Sequence, residues 1–210
     1  MKRKILLPAI FIAVFALSRI PGLMPANFSV AYAFAFCAGV FFRGPMGWWL
    51  PLGVMLATDV GLNFYYQTQG VSVWSAAGLE KLAFNYLAYA LLILLGRAFT
   101  PRSSWFGLLG GGLLGAILFY FITNTVSWQQ DPAYAKTIAG WIQALTTGRP
   151  DWHPTTWEMF RNTLLSGGLF TALFGAVGKL TAESPVEKNA GTREPETEGE
   201  AKPEPEEAKA

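Results

Sequence analysis

The chain has 210 residues, of which 52% are hydrophobic and only 14% charged, with a positive mean hydropathy. That composition is of an integral membrane domain rather than a soluble core, and a lone cysteine (Cys37) and lone histidine (His153) exclude an internal disulfide framework and leave little room for metal chemistry. From Glu183 onward nine acids and four bases give a tail of −5, so a net charge of +2 leaves a body of +7.

In chain order, Lys2, Arg3 and Lys4 precede the apolar run ILLPAIFIAVFALS. This stretch fits either a secretory leader or a first span; Ala16-Leu17-Ser18 is a weak cleavage site, so a retained span over about 5–19 is expected. The connection IPGLMPAN (Ile20 to Asn27) leads to a second span at about 26–42, which Arg43-Gly44-Pro45 ends. A third is expected at 46–63, containing Asp59, followed by the uncharged aromatic loop FYYQTQGVSVWSAAG and a fourth span at 79–99.

The fifth span, at 105–127, is the strongest: Trp105 to Trp128 has no charge, and at about 1.5 Å per residue it covers roughly 35 Å, enough to cross a hydrocarbon core. Its first half carries Gly107, Gly110, Gly111, Gly112 and Gly115, a surface for close helix packing, and its last turns carry Tyr120, Thr123, Asn124 and Ser127. Between Asp131 and Gly148, Tyr134, Ile138, Trp141, Ile142 and Leu145 recur at helical spacing. The pattern predicts an amphipathic helix on the membrane or over the protein, capped by Asp131 with Pro132 in its first turn and stopped by Gly148 and Pro150. The sixth span is expected at 157–180. The domain division is therefore 1–181, an all-α bundle of six transmembrane helices, and 182–210, a disordered acidic cytoplasmic tail.

With the amino terminus inside, inner span ends hold seven bases (Lys2, Arg3, Lys4, Arg43, Arg97, Arg102, Lys179) against five outside (Arg19, Lys81, Lys136, Arg149, Arg161). The positive-inside rule then places both termini in the cytoplasm. In that orientation the polar span residues gather toward the outer side. Asp59, Asn63 and Tyr66 share a face, as do Lys81, Asn85 and Tyr89; Asn124 ends the fifth span, and Glu158, Arg161, Asn162 and Ser166 begin the sixth. Either these groups sit at headgroup depth and pair among themselves, as Glu158 and Arg161 could at i, i+3, or four helices share one outward pocket. The candidate solute-binding residues are Arg19, Asn27, Asp59, Asn63, Lys81, Asn85, Tyr89, Asn124, Trp128, Arg161 and Asn162, with Tyr65, Tyr66, Trp74, Trp128 and Trp141 as candidate aromatic walls and the Ile20 to Asn27 loop as a cover. Within this set Arg161 offers a fork for a carboxylate or phosphate, and Asp59 either pairs with it or meets a ligand amine.

Enzyme readings fare badly. One histidine cannot supply a metalloprotease pair, no GxSxG-like context is present, and the glycines of the fifth span lack the Lys-Ser or Lys-Thr of a phosphate-binding loop. No catalytic residue, cofactor, metal or nucleic-acid partner is expected; the partners implied are the lipid bilayer and a small solute.

Six short spans, an outward polar site and the small first-helix face of Ala9, Ala13 and Ala16 resemble the substrate-binding S components of energy-coupling-factor transporters. More narrowly, Pro25-Ala26-Asn27-Phe28-Ser29, Phe84-Asn85-Tyr86 with Leu95-Gly96-Arg97, Thr123-Asn124, Ala135-Lys136-Thr137 with Gly140, and Phe160-Arg161-Asn162-Thr163-Leu164-Leu165 are similar to an uncharacterised bacterial membrane family placed near those S components. The resemblance covers about 19–178; the family pattern has an acid soon after the last motif, where this chain has Gly167 and Gly168. It implies a multi-pass protein of the bacterial cytoplasmic membrane that captures a vitamin-like solute and docks through Ala9, Ala13 and Ala16 on a transmembrane T subunit energised by two ATPase subunits. It implies no particular cargo. A stand-alone small-solute carrier or channel, or a scaffold without ligand, are the alternatives.

Overall fold

The computed structural model describes residues 2–70 and 74–182. Residues 183–210, read above as a disordered tail, lie outside the described residues. Seven helices and no strand occur among those described: α1 (Lys2–Ser18), α2 (Ala31–Phe41), α3 (Met46–Thr68), α4 (Ala76–Arg97), α5 (Trp105–Gln130), α6 (Ile138–Leu145) and α7 (Thr156–Ala182).

Three of them, α4, α5 and α7, are long and apolar enough to cross a membrane. Their outer faces carry exposed leucines at helical spacing: Leu87, Leu91 and Leu94 on α4, Leu114 and Leu118 on α5, and Leu165, Leu169 and Leu173 on α7. Contiguous apolar surface of this kind is unfavourable in water and suits lipid. The other three expected spans differ. α1 and α2 are apolar but short, and α3 is long but not apolar enough. α3 also runs five residues past its expected end at Asn63, because no breaker occurs before Gly70, whose φ of +79° turns the chain.

α2 is the centre of the bundle. It is apolar all round, and Ala31 to Val40 are all buried, against α1, α3, α4, α5 and α7. Its crossing with α4 is made by backbone contact. A Cβ at Gly39 would run into the Ile93 carbonyl oxygen, and one at Gly96 into that of Phe36. The glycines of α5 divide by direction. Gly111, Gly112 and Gly115 meet Phe36, Thr171 and Leu92, whereas Gly110 faces open space. Farther along the core, Phe11, Phe34, Phe36 and Phe174 are fully buried, with the Phe11 and Phe174 rings stacked at 4.0 Å.

The amphipathic segment is shorter than expected and starts differently. Asp131 follows the last turn of α5, its N–H bonded to the Ser127 carbonyl, and Thr137 caps α6 by accepting from the Gly140 N–H at 3.2 Å. Asp131, six residues before that cap, is too far away to serve it; its carboxylate accepts from Ala133 N–H instead. Gly140 and Ala144 pack inward while Ile138 and Ile142 are exposed.

Candidate functional site

The C-terminal ends of α1, α3 and α5 and the N-terminal ends of α2, α4 and α7 meet at one end of the bundle, around a cavity of about 550 Å³. The up-and-down order of helices therefore brings polar ends that are far apart in sequence to one place. Arg19, Asn27, Lys81, Asn85, Tyr89 and Asn124 line it, and the Ile20 to Asn27 loop forms part of its wall. A neighbouring cavity of about 460 Å³ between α3 and α4 is lined by Asp59 and Asn63 and shares Arg19, Lys81, Asn85 and Tyr89 with the first.

Asp59 is the charged residue with most partners here. One of its oxygens pairs with Arg19 and the other accepts from Tyr86 Oη at 2.9 Å. Both charges are largely withdrawn from solvent, with side-chain exposures of 25% for Arg19 and 17% for Asp59, so each needs the other. The partner of Asp59 is thus Arg19 rather than Arg161. Arg161 is exposed and does not line either cavity. Glu158 does not pair with it either: its carboxylate accepts from the Thr155 N–H at 2.7 Å and hydroxyl at 2.9 Å, a capping box that opens α7.

Asn162 lies outside the cavity lining but holds the loop that covers it, donating from Nδ2 to the Ala26 carbonyl at 3.0 Å. The next residue, Asn27, takes φ of +57°, a left-handed conformation that asparagine tolerates, and its carbonyl accepts from Tyr32 Oη at 3.4 Å. The FRNTLL and PANFS segments are therefore joined by a hydrogen bond. Trp128 also stays out of the cavity: its Nε1 donates to the Ala135 carbonyl at 2.9 Å, with Lys136 lying over the ring and donating to the Trp128 and Asp131 carbonyls. Trp141 Nε1 binds Thr125 Oγ1 at 3.0 Å, so it too stitches the 131–148 segment to α5.

Of the aromatic residues proposed as walls, Tyr66 lines the larger cavity and Tyr65, Trp74, Trp128 and Trp141 do not. The wall is made instead by Tyr32, Phe119 and Tyr89, with Tyr89 and Phe119 stacked at 5.1 Å and Tyr32 4.7 Å from Phe119. Sequence reasoning missed Tyr32, Tyr86 and Phe119. The one available signal was a phenol inside the otherwise apolar AYAFAF run of α2. Asn124 donates one Nδ2 hydrogen to the Tyr120 carbonyl of its own helix at 2.9 Å, which leaves its second N–H and its oxygen uncommitted among the described residues.

Beyond the cavity, the 131–155 segment is tied by charge. Arg149 contacts Asp131 at 3.3 Å and Asp151 at 2.6 Å. The Ala133 N–H first, and then Arg149, hold the Asp131 carboxyl below its usual range, and Arg149 does the same for Asp151. Among the described residues no three His, Cys, Asp or Glu side chains converge as a metal-ligand set.

No curated protein and no solved structure matches this chain. A family model does, over residues 1–188, and each short motif noted within it has a structural role: FNY supplies Asn85 and the Tyr86 partner of Asp59, LGR the α2–α4 crossing, and AKT with Gly140 the start of α6. By that match the chain belongs to the family of unknown function DUF6580.

Proposed function

We propose that this protein is the substrate-capture subunit of a micronutrient importer, with six membrane passes, both termini in the cytoplasm, and the cavity open to the outside. The observation that carries the reading is the one-ended cavity: two cations, six aromatic rings and the amides of Asn27, Asn85 and Asn124 collect around about 550 Å³ at one end of an otherwise apolar bundle. Arg19, Asn85 and Asn124 are half-buried, and polar groups drawn partly out of water favour the partners that a polar solute supplies. Closure beyond it by Phe11, Phe34, Phe36 and Phe174 favours capture over an open channel. On α1, Leu7, Phe11 and Phe15 face the core while Ala9, Ala13 and Ala16 are exposed, which leaves a small-residue face for a T-type subunit and its ATPases.

The test is reconstitution. Native mass spectrometry of gently purified protein identifies the held solute, and vesicles are then loaded with the protein alone or with T-type and ATPase subunits. Uptake that requires the ATPases and is lost in the Ala9→Trp, Ala13→Trp double variant supports the reading. Uptake by the protein alone replaces it with the carrier, and no solute with no uptake leaves the scaffold.

A further inference from the structure

The two adjoining cavities share Arg19, Lys81, Asn85 and Tyr89 but differ in charge. Asp59 lines only the smaller one, and both of its oxygens are engaged, by Arg19 and by Tyr86. The larger cavity has no carboxylate in its lining and two cations. Arg19 spends one terminal nitrogen on Asp59, while its Nε is buried without a hydrogen-bond partner. Lys81 forms no ion pair among the described residues. The lining thus carries two positive charges and unspent N–H groups against neutral acceptors alone, beside the Tyr32, Phe119 and Tyr89 rings.

We infer that the larger cavity binds a small anion, a carboxylate on a planar body, with Lys81 and Arg19 as its counter-charges and the Tyr89–Phe119 pair as its stacking wall. This rests on the solute-binding reading above and adds the ligand class to it. A guanidinium with unspent N–H groups recognises a carboxylate through charge-assisted hydrogen bonds, and Lys81 adds a point charge on the same side. Asp59 then acts as a resident anion that competes with the ligand for Arg19. That competition gives the two charged positions opposite signs: removing Lys81's charge weakens an anion, and removing Asp59's strengthens it.

The experiment uses the full chain in phosphatidylcholine nanodiscs, titrated with benzoate, its neutral isostere benzamide and the cation benzylamine. Benzoate is expected to bind best, about tenfold more weakly in Lys81→Gln, with recovery in Lys81→Arg, and several-fold more tightly in Asp59→Asn. A residue with a merely structural role would lower binding in both variants. If Asp59→Asn does not fold, Lys81→Gln against Lys81→Arg decides. Equal or tighter binding of benzamide or benzylamine overturns the anion assignment while leaving a solute site in place. Failure of benzoate to bind, or its displacement by added phosphatidylglycerol, overturns it too, the latter in favour of a lipid headgroup.

Discussion

Both ends of the bundle carry cations, and the two ends use them in opposite ways. At the end away from the cavity, Arg97 donates to the Gly44 carbonyl at 2.7 Å and lies 5.2 Å over Trp48. Lys179 donates to the Pro101 and Ser103 carbonyls at 3.1 and 2.5 Å and lies 5.6 Å from Trp105. These cations close the α2–α3 and α4–α5 turns by taking up carbonyls of the turns themselves. At the cavity end, Arg19 is held by one carboxylate and Lys81 by none. What separates the two ends is whether the surrounding acceptors are already spent.

The largest effect should come from the crossing on which both ends depend. Gly96→Val forces side-chain atoms against the Phe36 carbonyl, and with backbone on both sides little can move; a loss of about 3 kcal/mol or more is expected, read as a lowered midpoint of thermal unfolding in detergent. Asp59→Ala comes next, since it strands Arg19 without its counter-ion; partial exposure of the pair reduces the cost to about 2 kcal/mol. Retention of full stability there would mean that the pair holds nothing together.

A matched pair of substitutions then sharpens the contrast between the ends. Arg97→Gln should cost about 1 kcal/mol by losing a charge-assisted bond and an indole contact, with benzoate affinity unchanged. Lys81→Gln should leave stability within about 0.5 kcal/mol of the parent while lowering that affinity. If the two variants behave alike, the ends do not differ as described. The smallest effect is on pH. Asp131 and Asp151 titrate below the ordinary carboxylate range in the folded chain, so their contribution is complete above that range and falls away as pH drops through it. Pepsin cleavage within 131–155 should therefore rise below about pH 4, with the Ile20 to Asn27 loop unchanged, because the Asn162 to Ala26 bond does not titrate.

Much of this was open to reading from local pattern. The helices fall close to the six apolar segments, and the gathering of Arg19, Lys81, Asn85 and Asn124 at one end follows from alternating helix direction alone. Spacing also placed Lys81, Asn85 and Tyr89 on one face, and the cavity uses all of them. Other features were hidden because they depend on how helices are rotated about their axes. Asn162 and Arg161 are neighbours in sequence, yet one turns to Ala26 and the other outward, and Trp128 looks like a wall residue until the 131–148 segment folds back onto it.

By itself, then, the amino-acid sequence determined which stretches are helical and apolar, which end of each is polar, and that Gly148 turns the chain, because these follow from composition and backbone sterics within a few residues. Only the tertiary structure decided that the short second apolar segment is the buried centre, that Asp59 belongs to Arg19 and Tyr86, and that Tyr32, Phe119 and Tyr89 form one wall. Partner choice among several candidate charges and rings is settled by long-range packing, where backbone contact at Gly39 and Gly96 sets the depth and rotation of α2 against α4 and so which side chains can reach one another.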